Sequence, residues 1–282
     1  MAQALTTAIG IAVLIVQPLV TFSIGVETGG PQLRALFTRP GLTLRYFLAT
    51  FVVMPALAIL SGVFGWLSPA LWTGLALMSI APPAPPSTRR LRKMGNFDVG
   101  LAWQAEAFVV SIVTMPLTVA IVAHLGLVGR EINLTWQPVL ERSVLFFGAP
   151  MLVGLLVRRY WPKGADALSK PVGLAANAGL LVLVVLVLIV AVPVIWRFGI
   201  VSIGLIAAFV AIAIIVGHLF GGPGRDTRVT LAAMLAARFP VPAMVLAQAN
   251  GELKTVLPVV LVYVIAGTLL VPIYAKIGAG KS

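Results

Sequence analysis

Long apolar runs dominate the chain, and short polar or basic segments separate them. A bilayer core about 30 Å thick takes about 20 apolar residues per helix, and these runs are long enough to cross it. The pattern therefore predicts an all-α integral membrane protein with about nine transmembrane helices. The predicted spans are residues 5–26, 43–64, 70–91, 98–124, 136–158, 171–192, 199–220, 228–250 and 254–275.

Composition and charge support the same class of protein. Hydrophobic residues make up 60% of the chain and charged residues only 10%, whereas soluble domains carry about 25% charged residues. The net charge of +12 is explained by basic loops on the cytoplasmic face of a membrane, so no nucleic-acid partner is expected. Because the basic residues fall in alternate loops, we expect the N-terminus outside and the C-terminus in the cytoplasm. The expected location is a plasma membrane such as the bacterial inner membrane. The basic segments are 34–45, 89–93, 158–170, 225–228 and 276–281.

Prolines interrupt two of the predicted spans. The stretch "SIAPPAPPSTRRLRK" at 79–93 ends the third apolar run, and "ARFPVPAMVLAQAN" at 237–250 lies in the eighth. A proline inside a helix costs about 3 kcal/mol, so we expect the third span to unwind over 82–86 and the eighth at 240–242. Non-helical backbone at membrane depth is tolerated only inside protein or beside a water-filled cavity.

The positions of the two breaks favour an inverted-topology repeat. The third and eighth spans cross in opposite directions, as the matching helices of such a repeat do. Residues 1–126 would hold spans one to four, and residues 127–282 would hold span five followed by spans six to nine. In transporters built this way, substrate binds near the midplane where two discontinuous helices meet. A purely structural kink at each proline remains the alternative.

Several segments resemble the bile acid:sodium symporter family. They are "FSIGVETGGPQLRALFTRP" at 22–40, "MPALAIL" at 54–60, the Gly95-Asn96 pair and "RDTRVTLAAML" at 225–235. The resemblance covers nearly the whole chain. It implies a core domain with two crossing broken helices, a panel domain, and alternating access by movement of one against the other.

The chain departs from this family where relatives bind sodium. Relatives carry a carboxylate and a glutamine near the second break, and Met234 and Arg238 stand at these positions here. A thioether does not hold a hard cation, and a guanidinium cannot be a cation ligand. The usual sodium sites are therefore expected to be absent. No cofactor is expected, and proton coupling stays open.

Arg238 is the first candidate site residue, because a charge inside a span is costly and marks a pathway or a buried pair. It either binds an anionic substrate or anchors the broken helix by donating to carbonyls of the proline-rich break. Glu106 in span four either pairs with Arg238 or exchanges a proton. The weaker substrate-binding or ion-binding candidates are Gln104, Ser87, Thr88, Pro82, Pro86, Pro240 and Gln248.

The function expected from these features is secondary active transport of a small organic anion across the bilayer. A proton-coupled antiporter or exporter of a neutral or cationic solute is one alternative, and it needs an accessible Glu106. A non-transporting membrane sensor or scaffold is another. An enzyme is not expected, because the spans contain no nucleophile–base pair and no cluster of metal ligands. The sequence leaves the oligomeric state open.

Overall fold

The computed structural model describes residues 2–65, 67–85, 91, 93–124 and 135–277. These residues are almost entirely helical, as the apolar runs predict. The helices are α1 (Ala2–Glu27), α2 (Gly30–Thr38), α3 (Pro40–Leu48), α4 (Met54–Val63), α5 (Pro69–Ile80), α6 (Phe97–His124), α7 (Trp136–Ser143), α8 (Ala149–Tyr160), α9 (Pro162–Phe198), α10 (Ile200–Phe220), α11 (Arg225–Ala236), α12 (Pro240–Ala249) and α13 (Leu253–Ile277).

Seven segments of the described chain are long and apolar enough to cross a membrane. They are α1, α3 with α4, α6, α7 with α8, α9, α10 and α13. The prediction of an all-α integral membrane protein is therefore confirmed. The other two predicted spans, the third and the eighth, are the ones that contain the breaks.

Short π-helical turns join α3 to α4 and α7 to α8. They cover Ala49–Val53 and Val144–Gly148, and in each case a proline, Pro55 or Pro150, follows within two residues. Proline removes one donor from the helical ladder, and a π-turn is a local adjustment that lets the helix continue. Each pair therefore forms one continuous span.

The eighth span breaks slightly earlier than predicted. Helix α11 ends at Ala236, and α12 begins at Pro240. The prediction of an unwound segment at 240–242 is wrong, because Pro240 and Pro242 both lie in the first turn of α12. A proline in the first turn loses only an N–H that has no helical partner there. The unwound residues are 237–239.

Two further differences concern polar segments, where the apolar pattern predicts connections between spans. Helix α2 occupies much of the connection between the first two spans, and α9 begins at Pro162, well before the predicted start at residue 171. Both helices have proline in their first turn, where it favours helix initiation. Their polar residues give no apolar run, so the hydrophobic pattern does not predict them.

The helices pack in two groups. Helix α1 packs against α8 and α9, whereas α5, α10 and α11 pack around α13 or each other. The groups meet where α1 contacts α12 and where α9 contacts α13. The panel and core arrangement that the family resemblance implies stays a prediction.

Replacing Gly154 with alanine is expected to lower the free energy of unfolding by about 1–3 kcal/mol. A Cβ at Gly154 would lie 2.5 Å from the Phe22 carbonyl oxygen of α1, so α1 and α8 would have to move apart. Gly204 in α10 is the matched control, because a Cβ there meets nothing within 4 Å. Thermal unfolding in detergent checks this, and equal midpoints for Gly154→Ala and Gly204→Ala would contradict the close packing.

Candidate functional site at the helix crossing

The two unwound segments cross each other as a short antiparallel pair. Pro83 and Arg238 form an isolated antiparallel bridge. The Ala84 N–H donates to the Ala237 carbonyl at 2.8 Å, and the Phe239 N–H donates to the Pro82 carbonyl at 2.8 Å. These bonds satisfy buried backbone groups that the broken helices leave without helical partners.

The Arg238 side chain joins the ends of two half-helices. It is only 1% exposed. Its Nε donates to the Leu235 carbonyl at 3.0 Å, and its Nη1 donates to the Ala81 carbonyl at 2.9 Å. These carbonyls lie at the C-terminal ends of α11 and α5, where helices lack internal donors and carry partial negative charge. One guanidinium therefore stabilises both ends at once.

Two other side chains complete the crossing. Gln104 Nε2 on α6 donates to the Pro83 carbonyl at 3.2 Å. The Tyr263 hydroxyl on α13 lies 3.4 Å from the Leu235 carbonyl, to which it donates. Tyr263 is a residue that the sequence reasoning missed. The sequence does mark Tyr263, because it is the one polar side chain between Thr255 and Thr268.

A cavity of about 140 Å³ lies beside the crossing. Arg238, Phe239 and Pro240 form one wall, and Leu180 and Val184 of α9 form the opposite one. A smaller apolar pocket of about 40 Å³ continues between α9 and α12. Within the described residues, Nη2 of Arg238 is buried without a hydrogen-bond partner. The arrangement is a partly open, mainly apolar cavity with Arg238 among its lining residues.

Comparison with known proteins decides the family. The sequence profile of the Sodium Bile acid symporter family matches residues 14–198. The chain belongs to this family. A comparison with curated proteins finds no match.

The family confirms the prediction of a membrane transporter of the bile acid symporter type. It also confirms the lipid bilayer and a small-molecule substrate as partners. The matched region of this symporter-family chain includes the first break and ends before Arg238.

Some of the predicted site residues of this symporter-family chain meet at the crossing. The carbonyls of Pro82 and Pro83 accept hydrogen bonds there, as the proline hypothesis expected. Arg238, however, donates to Ala81, the residue before the prolines. Pro240 begins α12 and lines the cavity. Pro86, Ser87 and Thr88 lie outside the described residues.

Glu106 and Gln248 are not part of the crossing. Glu106 forms no ion pair with Arg238 in the described chain, and its buried Oε2 has no hydrogen-bond partner there. The interpretation of these two charges as a static pair is therefore wrong. Gln248 lies about 12 Å along α12 from Pro240, with its Nε2 beside Gly10 of α1.

Proposed function

We propose that this symporter-family protein moves a small organic anion by alternating access, with Arg238 as a fixed positive charge at the helix crossing. The observation that carries the proposal is the guanidinium between the Ala81 and Leu235 carbonyls, in a residue that lines a partly open cavity. A planar guanidinium is a donor group suited to a carboxylate.

The residues at the crossing do not fit a sodium ion. Sodium needs a cage of oxygen ligands, but the Ala81 and Leu235 carbonyls already face the Arg238 charge about 3 Å away. A second cation there would be repelled by the guanidinium. Met234 is fully buried and offers only a thioether. These features support transport that does not depend on sodium.

The cavity also supports a small substrate. Its volume of about 140 Å³ is comparable with an apolar cavity of about 150 Å³ that holds benzene. The walls are mainly aliphatic, and Arg238 brings the charge. We therefore infer a carboxylate with a small apolar body, near benzoate or phenylacetate in size.

We infer an orientation with the N-terminus outside and the C-terminus in the cytoplasm, as in a bacterial inner membrane. The basic residues of alternate loops support it. We also infer that residues 1–126 and 127–282 contain inverted repeats. The antiparallel meeting of the two broken segments supports this relation.

Proton coupling through Glu106 is the second candidate. The carboxylate lies in a membrane span with Oε2 buried and unpartnered in the described chain. An unpaired carboxylate at such a depth is costly when ionised. If Glu106 exchanges a proton, its carboxylate is ionised only in part of the transport cycle. Such an exchange would also couple anion movement to a pH gradient.

Uptake of labelled benzoate and phenylacetate into proteoliposomes tests the proposal. At a clamped membrane potential, we expect saturable uptake that is the same with sodium or potassium outside. Accumulation that requires a sodium gradient, or no saturable uptake of any carboxylate tested, would overturn the proposal.

Glu106→Gln, measured in the same vesicles, distinguishes proton-coupled transport from facilitated exchange of the anion. If Glu106 couples protons, the variant should lose accumulation driven by a pH gradient and keep exchange of labelled for unlabelled anion. If transport is facilitated exchange, the wild type itself should not respond to the pH gradient. Loss of both activities would show that Glu106 has a different role.

A further inference from the structure

A second cavity, of about 460 Å³, lies far from the crossing. It opens where the start of α3 meets the loop between α10 and α11. The helix α11 separates it from Arg238, and this helix of 12 residues is about 18 Å long. Its lining residues are Arg39, Gly41, Leu42, Arg45, Gly221, Gly222, Pro223, Gly224 and Thr227.

Two arginines, Arg39 and Arg45, line this cavity. Neither Arg39 nor Arg45 has a side-chain hydrogen bond or an ion pair within the described residues. Arg45 lies about 8 Å along the span that begins at Pro40. Both side chains are exposed, so their charges are accessible to a ligand that enters the cavity. Within the described part of the chain, no carboxylate neutralises these two charges.

The loop between α10 and α11 contributes three glycines to the lining of this cavity, Gly221, Gly222 and Gly224. Gly222 has a φ of +76°, a conformation that favours glycine, and Nη1 of Arg45 lies 3.6 Å from the position a Gly222 Cβ would occupy. Arg228 Nε fixes the loop by donating to the Gly222 carbonyl at 2.7 Å. A glycine-rich wall lets a compact anion approach the backbone closely.

The balance of charge around the loop is positive. Arg225 and Arg228 follow it, and the neighbouring carboxylate is that of Asp226, which is 68% exposed and 3.9 Å from Arg225. The start of α11 adds partial positive charge from its first N–H groups. Arg39 and Arg45 thus face a cavity in which anions are favoured.

We propose that this cavity binds a phosphate group, held by the forks of Arg39 and Arg45 against the Gly221–Gly224 loop. Guanidinium groups bind phosphate through paired charge-assisted hydrogen bonds. Basic pockets between the ends of membrane helices also receive anionic headgroups. An anionic phospholipid and free phosphate share this chemistry. The site goes beyond the transport function and does not depend on it.

Thermal unfolding of delipidated protein in a neutral detergent tests the site. The probes are short-chain phosphatidylglycerol, phosphatidylcholine with the same acyl chains, and inorganic phosphate against chloride at equal ionic strength. We expect phosphatidylglycerol to raise the unfolding midpoint of the wild type. Arg45→Gln should need about tenfold more of it, because a charge-assisted hydrogen bond is lost.

Arg34→Gln is the matched control, since Arg34 is exposed on α2 and does not line the cavity. It should respond as the wild type does. Stabilisation by inorganic phosphate as well would identify the phosphate group alone as the ligand, and stabilisation by phosphatidylglycerol alone would identify the lipid.

Equal responses to the two lipids without any response to phosphate, or equal responses of Arg45→Gln and Arg34→Gln, would overturn the proposal. If Arg45→Gln does not fold, Arg45→Lys keeps the charge without the fork and should bind more weakly than the wild type. No transport substrate is present, so a negative result here leaves the transport proposal untouched.

Discussion

Replacing Arg238 with glutamine is expected to lower the free energy of unfolding by about 3 kcal/mol. The change removes the charge-assisted bonds to Ala81 and Leu235, each of which is worth about 1.5–3 kcal/mol. Relief from burying a charge offsets part of this loss. The Ala81 carbonyl loses its guanidinium partner, whereas Leu235 keeps the Tyr263 hydroxyl. Thermal and denaturant unfolding in detergent measure the difference.

Two variants control for charge in this measurement. Arg238→Lys keeps the charge but presents a point donor instead of a planar fork, so it should recover only part of the stability. Arg34→Gln removes an exposed arginine and should leave the unfolding midpoint unchanged. An Arg238→Gln variant as stable as Arg34→Gln would mean that the guanidinium does not hold the half-helices together.

Replacing Val184 with tryptophan is expected to reduce carboxylate uptake at least tenfold while the protein still folds. Val184 lines both the 140 Å³ cavity and the smaller apolar pocket beside it. An indole at this position fills the space in which we place the substrate, and an overpacked site costs about 1–3 kcal/mol when neighbours must move. Proteoliposome uptake of benzoate gives the activity, and gel filtration in detergent shows whether the variant is folded.

Val185→Trp provides the comparison for this variant. Val185 is the next residue along α9, has a similar exposure to Val184, and lines neither cavity. Its replacement adds the same indole on a different face of the helix, so uptake should be retained. If the two tryptophan variants transport equally well, the substrate does not pass through the cavity beside Arg238.

The helical architecture was largely readable from the sequence because burial in lipid demands long apolar runs. The predicted spans and the observed helices agree to within a few residues for most segments, such as 98–124 and α6. The two kinds of wrong prediction, a helix that was not predicted and a break placed too late, each have a local cause. Polar helices such as α2 give no apolar signal, and a proline pattern cannot distinguish the first turn of α12 from the break that precedes it.

The candidate site was only partly predictable. Arg238 was identifiable because a lone charge in an apolar span is rare. Its partners were not, since Ala81 and Leu235 contribute backbone carbonyls that every residue type carries. The absence of an ion pair with Glu106 could not be predicted either, because it depends on how α6 packs against the crossing. The sequence therefore identifies a buried charge as a candidate site residue, and only the packing of the helices shows which groups it contacts.

The central claim is that the Arg238 charge takes the place of sodium. Its most direct test is to measure carboxylate binding by the shift in thermal unfolding. Wild type and Arg238→Gln are measured with benzoate, phenylacetate and octanoate, in sodium and in potassium. A ligand at a hundredfold excess over its Kd stabilises the folded state by about 2.7 kcal/mol. We predict a shift in the wild type that is equal in the two salts and lost in the variant. A shift that requires sodium, or one that Arg238→Gln retains in full, would contradict the account.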